Sequence, residues 1–112
     1  SHECLLLPYE KSFIRHIDGL YYNLSTHYPW IGMRTLHSDI HIQLLSQVKN
    51  PIGLKIGPNV NWEMLQIAIQ YLNPNNTPGK ITLIPRFGID YVEAFLPLLI
   101  NKVLEQKYHV LW

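Results

Sequence analysis

Arg34, Lys55 and Arg86 are the residues whose types and spacing best suit chemistry in this chain. Arg34 follows the segment Tyr21–Trp30, Lys55 lies inside Ile52-Gly-Leu-Lys-Ile-Gly-Pro58, and Arg86 closes Ile81-Thr-Leu-Ile-Pro-Arg86. Each stands in or just beyond a short apolar stretch that reads as a strand, and helical stretches separate the three. In a parallel α/β arrangement the carboxyl ends of successive strands converge on one face. Cations gathered on that face make an anion site, and phosphate or carboxylate is the natural occupant.

Lys55 carries the sharpest argument. It stands in an otherwise apolar run, and an unpaired ammonium buried in a central strand would be very costly. Either the side chain enters a polar pocket or the strand is an exposed edge. A lysine in such a pocket can bind a carboxylate, or form a Schiff base if its pKa falls. Arg86 follows Pro85 and precedes Phe87-Gly88, where a glycine would let a ligand approach the backbone. A surface arginine paired with an acid is the plain alternative. Arg34 lies in Trp30-Ile-Gly-Met-Arg-Thr35, a turn that would lead into a helix whose free N–H groups favour anions. His37 and His41 are four apart, a metal-ligand spacing on a helix. No acid accompanies them as in a His-Glu-x-x-His motif, so a solvated helix face is the reading preferred. His27 is a candidate pocket-lining residue. Cys4 reads as a small buried hydrophobe rather than a nucleophile.

The elements that must position these groups follow from local signals. Cys4–Ile17 reads as a helical or partly irregular segment, with Asp18-Gly19 as a turn. Leu20–Ser25 reads as a strand and Thr35–Val48 as an amphipathic helix. Ile52–Ile56 reads as a strand. Asn61 is a natural cap for a helix over Trp62–Leu72. A loop spans 73–79, and Lys80–Ile84 reads as a strand. Asp90 would cap a helix over Tyr91–Gln106 containing Pro97, and Tyr108–Trp112 begins another strand. Strands alternating with helices imply right-handed parallel crossovers, here about four strands and four helices. A complete (β/α)8 barrel needs about 250 residues, so this order would supply roughly half of one.

Composition narrows the function classes. The 112 residues suit one domain, 1–112, and at 47% hydrophobic and 15% charged they can build a core. A formal charge of +1 argues against a nucleic-acid footprint. No apolar run approaches the roughly 20 residues of a membrane span. The single cysteine excludes an internal disulfide and fits a reducing compartment. The Ser1-His-Glu-Cys4 start, without an initiator Met, suggests part of a longer chain. No dinucleotide, Walker or Ser-His-Asp signature is present.

Three segments together resemble class II 3-deoxy-D-arabino-heptulosonate 7-phosphate (DAHP) synthases. They are Tyr22-Asn-Leu-Ser-Thr-His-Tyr-Pro-Trp-Ile-Gly32 with Arg34-Thr35, Asn50-Pro-Ile-Gly-Leu-Lys-Ile-Gly-Pro58, and Leu72-Asn-Pro-Asn-Asn-Thr-Pro-Gly-Lys-Ile-Thr-Leu-Ile-Pro-Arg-Phe-Gly88. Ser1-His-Glu-Cys-Leu-Leu-Leu7 is similar to the family's Ser/Thr-His-Glu-Ala-Leu-Leu-Leu stretch. Tyr108–Trp112 resembles the strand just before the family's Cys-Asp-Pro-Met-His-Gly-Asn-Thr motif. The resemblance implies a TIM barrel and the first step of the shikimate pathway, towards chorismate and the aromatic amino acids. In that step phosphoenolpyruvate condenses with erythrose 4-phosphate, inorganic phosphate is released, and a divalent metal such as Mn or Co is used. It implies a phosphoenolpyruvate site of Glu3, Trp30, Gly32, Arg34, Lys55 and Arg86, with Lys55 and Arg86 as the catalytic candidates. It also implies a cytoplasmic location, or a plastid in a plant.

Two departures stand out. The family usually has an acid where this chain has Met33 and a second Arg where it has Leu36. One acid and one phosphate-binding cation are therefore missing, which bears on the second substrate. The resemblance places the family's metal ligands outside these residues, so no metal is expected to be held by this chain. Two readings follow: a piece of a synthase carrying most of the phosphoenolpyruvate-binding groups, or a non-catalytic remnant or anion-binding module. In either, open sheet edges would favour association with the rest of a barrel or with another copy.

Overall fold

The computed structural model describes all 112 residues. Strands β1 (His2–Glu3), β4 (Pro29–Ile31), β5 (Ile52–Ile56), β6 (Ile81–Pro85) and β7 (Val110–Leu111) form one parallel sheet in that spatial order. Helices α1 (Leu7–Ser12), α2 (Asp39–Ser46), α3 (Trp62–Leu72) and α4 (Val92–Glu105) lie between them in the chain. Each new strand of the sheet joins beside the last, so right-handed crossovers carry successive helices to the same side. That is the construction of a (β/α) barrel rather than of a doubly wound sheet, which reverses its strand order.

Side-chain alternation divides the sheet into two faces. Ile31, Ile52, Leu54, Ile56, Ile81 and Leu83 are fully buried and meet Leu45, Leu65, Ile69, Leu72 and Val103 of the helices in one cluster. On the other face, Lys55, Thr82 and Ile84 are half-buried and Gly53 is buried. The Tyr28 hydroxyl donates to Thr82 there. Packing is close at Gly53: a Cβ would stand 3.0 Å from Ile84 and 3.1 Å from Trp30, so either neighbour would have to shift.

Several elements differ from the sequence reading. The segment over 4–17 holds the short helix α1 and then β2 (Ile14–Ile17), which pairs antiparallel with β3 (Leu20–Asn23). Leu20–Ser25 is thus one arm of a hairpin and not a strand of the parallel sheet. Asp18 (φ 50) and Gly19 (φ 80) take the two left-handed positions of a tight turn that matches strand twist. The sheet strand preceding Arg34 is the shorter Pro29–Ile31, and β1 adds a strand that its two residues do not signal, so the parallel sheet has five strands rather than four. Helix α2 starts at Asp39, later than Thr35, because Ser38 caps it by accepting the His41 N–H. Asn61 caps α3 as expected, accepting the Met64 N–H at 3.1 Å. Asp90 does not cap α4, whose first turn is closed by Gly88 accepting from Tyr91 and Val92. The final strand is confined to Val110–Leu111.

Candidate functional site

The sheet brings Glu3, Trp30, Gly32, Arg34, Lys55 and Arg86 around one pocket of about 350 Å³, at the carboxyl ends of β1, β4, β5 and β6. The volume lies in the range of small-ligand sites. β5 is the middle strand of its sheet, so Lys55 is not an edge residue. It has the polar pocket instead. Its ammonium lies 3.4 Å from the centre of the Trp30 ring, whose π face partly replaces lost hydration. Arg86 extends the ladder by donating its N–H to Ile56 at 2.7 Å, which places its side chain at the pocket rim. Neither Lys55 nor Arg86 has a carboxylate partner; the ion pairs of the chain are Arg34–Glu3 and His2–Glu10.

Arg34 stands in a turn ahead of α2, not at the helix terminus, so helix N–H groups do not add to its field. Its Nη2 donates to Glu3 Oε2 at 3.1 Å. With Arg34 75% exposed, this pair adds little stability. It fixes instead where the guanidinium points, and the remaining N–H groups stay free for a ligand. Gly32 is what admits Glu3 to this place: a Cβ there would come within 2.9 Å of Glu3 Oε1. Gly88 plays no such part. Its φ of +75 serves the turn before α4, and it does not line the pocket.

The two departures have structural consequences. Met33 lines the pocket and its Sδ accepts the Gly57 N–H at 3.3 Å, so a neutral thioether occupies a place among the charges. Leu36 is 4% exposed and belongs to the core cluster, so no cation reaches the site from there.

His27 lies elsewhere. It is exposed and borders a separate cavity of about 510 Å³ with Ser25, Lys49 and Asn50, at the opposite ends of β4 and β5. His37 and His41 do not share a helix face, since His37 precedes α2. The His41 ring bonds Ser38 Oγ at 2.6 Å and the Leu5 carbonyl at 2.9 Å. Cys4 is fully buried, and burial, with the charges of Glu10 and Glu3, pushes its thiol up to about 12. It is the inert hydrophobe expected. No three His, Cys, Asp or Glu side chains come together within these residues.

The sequence reading missed Glu10. It looks like a surface acid of a short helix, yet it is 1% exposed. Its carboxylate meets His2 Nε2 at 2.6 Å and accepts from Ser25 Oγ at 2.6 Å and Asn23 Nδ2 at 2.7 Å. Burial alone would raise its pKa, but the hydrogen bonds from Ser25, Asn23 and His2 outweigh it and hold the carboxyl below its ordinary value.

Known proteins resemble this chain along its whole length. The chain is 42% identical over 115 residues to a probable phospho-2-dehydro-3-deoxyheptonate aldolase, chloroplastic, of Catharanthus roseus. It is 39% identical over 120 residues to the phospho-2-dehydro-3-deoxyheptonate aldolase of Mycolicibacterium smegmatis, and 41% identical over 116 to that of Streptomyces coelicolor. Each match covers all of this chain but only 23%, 26% and 26% of the respective relative, so the chain spans about a quarter of their length. The sequence profile of the Class-II DAHP synthetase family matches residues 1–112 from end to end, and the chain belongs to that family.

Proposed function

We propose that the protein carrying this chain is a 3-deoxy-7-phosphoheptulonate synthase, condensing phosphoenolpyruvate with erythrose 4-phosphate, and that these residues form most of its phosphoenolpyruvate site. One observation carries the reading: Arg34, Lys55 and Arg86 converge on one pocket, two of them without an acid partner. Phosphoenolpyruvate presents a carboxylate and a phosphate, and separated cations can hold both. On this reading Lys55 and Arg86 bind the substrate charges and offset the charge that grows as phosphate leaves. Trp30 walls the pocket and keeps the Lys55 ammonium in place. Any metal the reaction uses would be held by residues outside this set. The compartment would follow the source, plastid or cytoplasm. No helix is long and apolar enough to cross a membrane.

The test is calorimetric titration of phosphoenolpyruvate into the protein carrying this chain, beside Arg86→Ala. Saturable binding weakened about tenfold or more by Arg86→Ala is the expected result, the loss of a charge-assisted contact. Absence of binding by the folded protein would remove the proposal. Gly32→Ala gives a finer check. The added methyl displaces the flexible Glu3 carboxylate, so melting should barely change while phosphoenolpyruvate binds at least about tenfold weaker, the low end of the range for one charged hydrogen bond. Met33 and Leu36 favour a second reading, an anion-binding module without turnover. It predicts the same phosphoenolpyruvate titration and no release of inorganic phosphate on adding erythrose 4-phosphate.

A further inference from the structure

β1 is a weak place to hang a functional carboxylate. It has two residues, paired with β4 only at His2↔Pro29 and Glu3↔Trp30. One more backbone bond follows, from the Cys4 N–H to the Trp30 carbonyl at 2.8 Å. Yet Glu3 must keep its oxygen against Arg34, in the gap that Gly32 leaves open.

The alternation of a strand sends His2 and Cys4 to the face opposite Glu3. Cys4 enters the core there, and His2 reaches the buried Glu10 carboxylate. Glu10 is in turn tied to Asn23 and Ser25. The backbone N–H of Asn23 donates to Asn50 Oδ1 at 2.8 Å, and Asn50 Nδ2 donates back to the Asn23 carbonyl at 2.9 Å. Asn50 leads directly into β5, the strand that carries Lys55. A continuous series of hydrogen bonds therefore runs from β1 through the Asn23 backbone to Asn50, two residues before β5, and no buried side-chain nitrogen or oxygen of the chain lacks a partner.

We propose that His2 and Glu10, neither of which lines the anion pocket, are positioning residues for it: they anchor β1 and so hold Glu3 against Arg34. The inference rests on reading the pocket as a phosphoenolpyruvate site. Neither residue touches the ligand. Their effect passes through Glu3 and ends at the direction of the Arg34 guanidinium. A charge-assisted bond to a buried carboxylate suits this task, being short and costly to break.

The experiment is a double-mutant cycle read by phosphoenolpyruvate titration of the protein carrying this chain. His2→Ala should weaken binding about tenfold, the low end for a lost charged hydrogen bond. His2→Gln keeps a side-chain N–H for Glu10 and should recover most of that loss. In a Glu3→Ala background, His2→Ala should add almost nothing, because the group it acts through is gone. A residue that merely stabilised the fold would show losses that multiply. If His2→Ala does not fold, Ser25→Ala removes another donor to Glu10 and should give a smaller loss that also vanishes with Glu3→Ala. Normal binding by His2→Ala, or losses that multiply with Glu3→Ala, would overturn the inference while Arg86→Ala still supported the pocket. No binding by the unsubstituted protein would overturn both.

Discussion

Replacing Lys55 by Met is expected to weaken phosphoenolpyruvate binding about a hundredfold while the protein stays folded. Hydrogen bonds to charged groups contribute about 1.5–3 kcal/mol, and each 1.4 kcal/mol is a factor of ten. Lys55 should lie at the upper end of that range for two reasons. It is half-buried, so its charge is less screened than that of an exposed lysine. It also has no carboxylate to return to when the ligand leaves, so binding breaks no ion pair. Stability should hardly move, because Met keeps the contact with Trp30 and relieves the cost of a partly desolvated ammonium. Calorimetry reads the affinity and denaturant titration the stability. Unchanged affinity would show that Lys55 is held by Trp30 for structural reasons alone.

The neighbouring residue should behave in the opposite way. Leu54→Ala is expected to cost about 3–4 kcal/mol of stability, in the range of Leu→Ala changes at fully buried sites. Leu54 has 0% exposure, on the middle strand and the face covered by helices. Strands on both sides hold its backbone, so the cavity has little freedom to collapse. In conditions where the variant remains folded, its phosphoenolpyruvate affinity should stay within a few-fold of normal. A loss under about 1 kcal/mol would mean that the helices do not close over this face as tightly as the burial indicates.

The parts of the fold legible in the sequence are those whose signals are local. The β5 run Ile52–Ile56, the Asn61 cap of α3 and the loop over 73–79 each carry their own markers, and the structure places them where they were expected. In the first 31 residues the Asp18-Gly19 turn and a strand from Leu20 are legible, but what they pair with is not, because the other elements there are defined by partners. β1 has no detectable period at two residues and is a strand only because β4 pairs with it. In β2, Ile-Arg-His-Ile is compatible with a helix turn, and Asp18-Gly19 marks a turn without telling what it joins. β4 opens on Pro29, a residue that does not mark a strand interior, so its bounds are not legible in the sequence.

The candidate site divides along the same line. Lys55 and Arg86 were visible as charges at strand ends. Trp30, Gly32 and Glu3 came through the resemblance, since nothing in their own spacing marks them. Glu10 was invisible, because its partners His2, Asn23 and Ser25 come from three separate segments that only the folded chain assembles.

The alternation along β5 has a practical consequence for anyone who prepares this protein. Leu54 and Lys55 are adjacent and face opposite ways. If the strand paired one position out of step, the leucine would enter the pocket and the ammonium the helix-covered side. Such molecules could keep much of their secondary structure and pass a circular-dichroism check. They would not take up the anion. If the proposed site binds phosphoenolpyruvate, the molar ratio at which titration saturates counts the correctly threaded molecules in a sample, and a ratio below one is an assay of misfolding rather than of weak affinity.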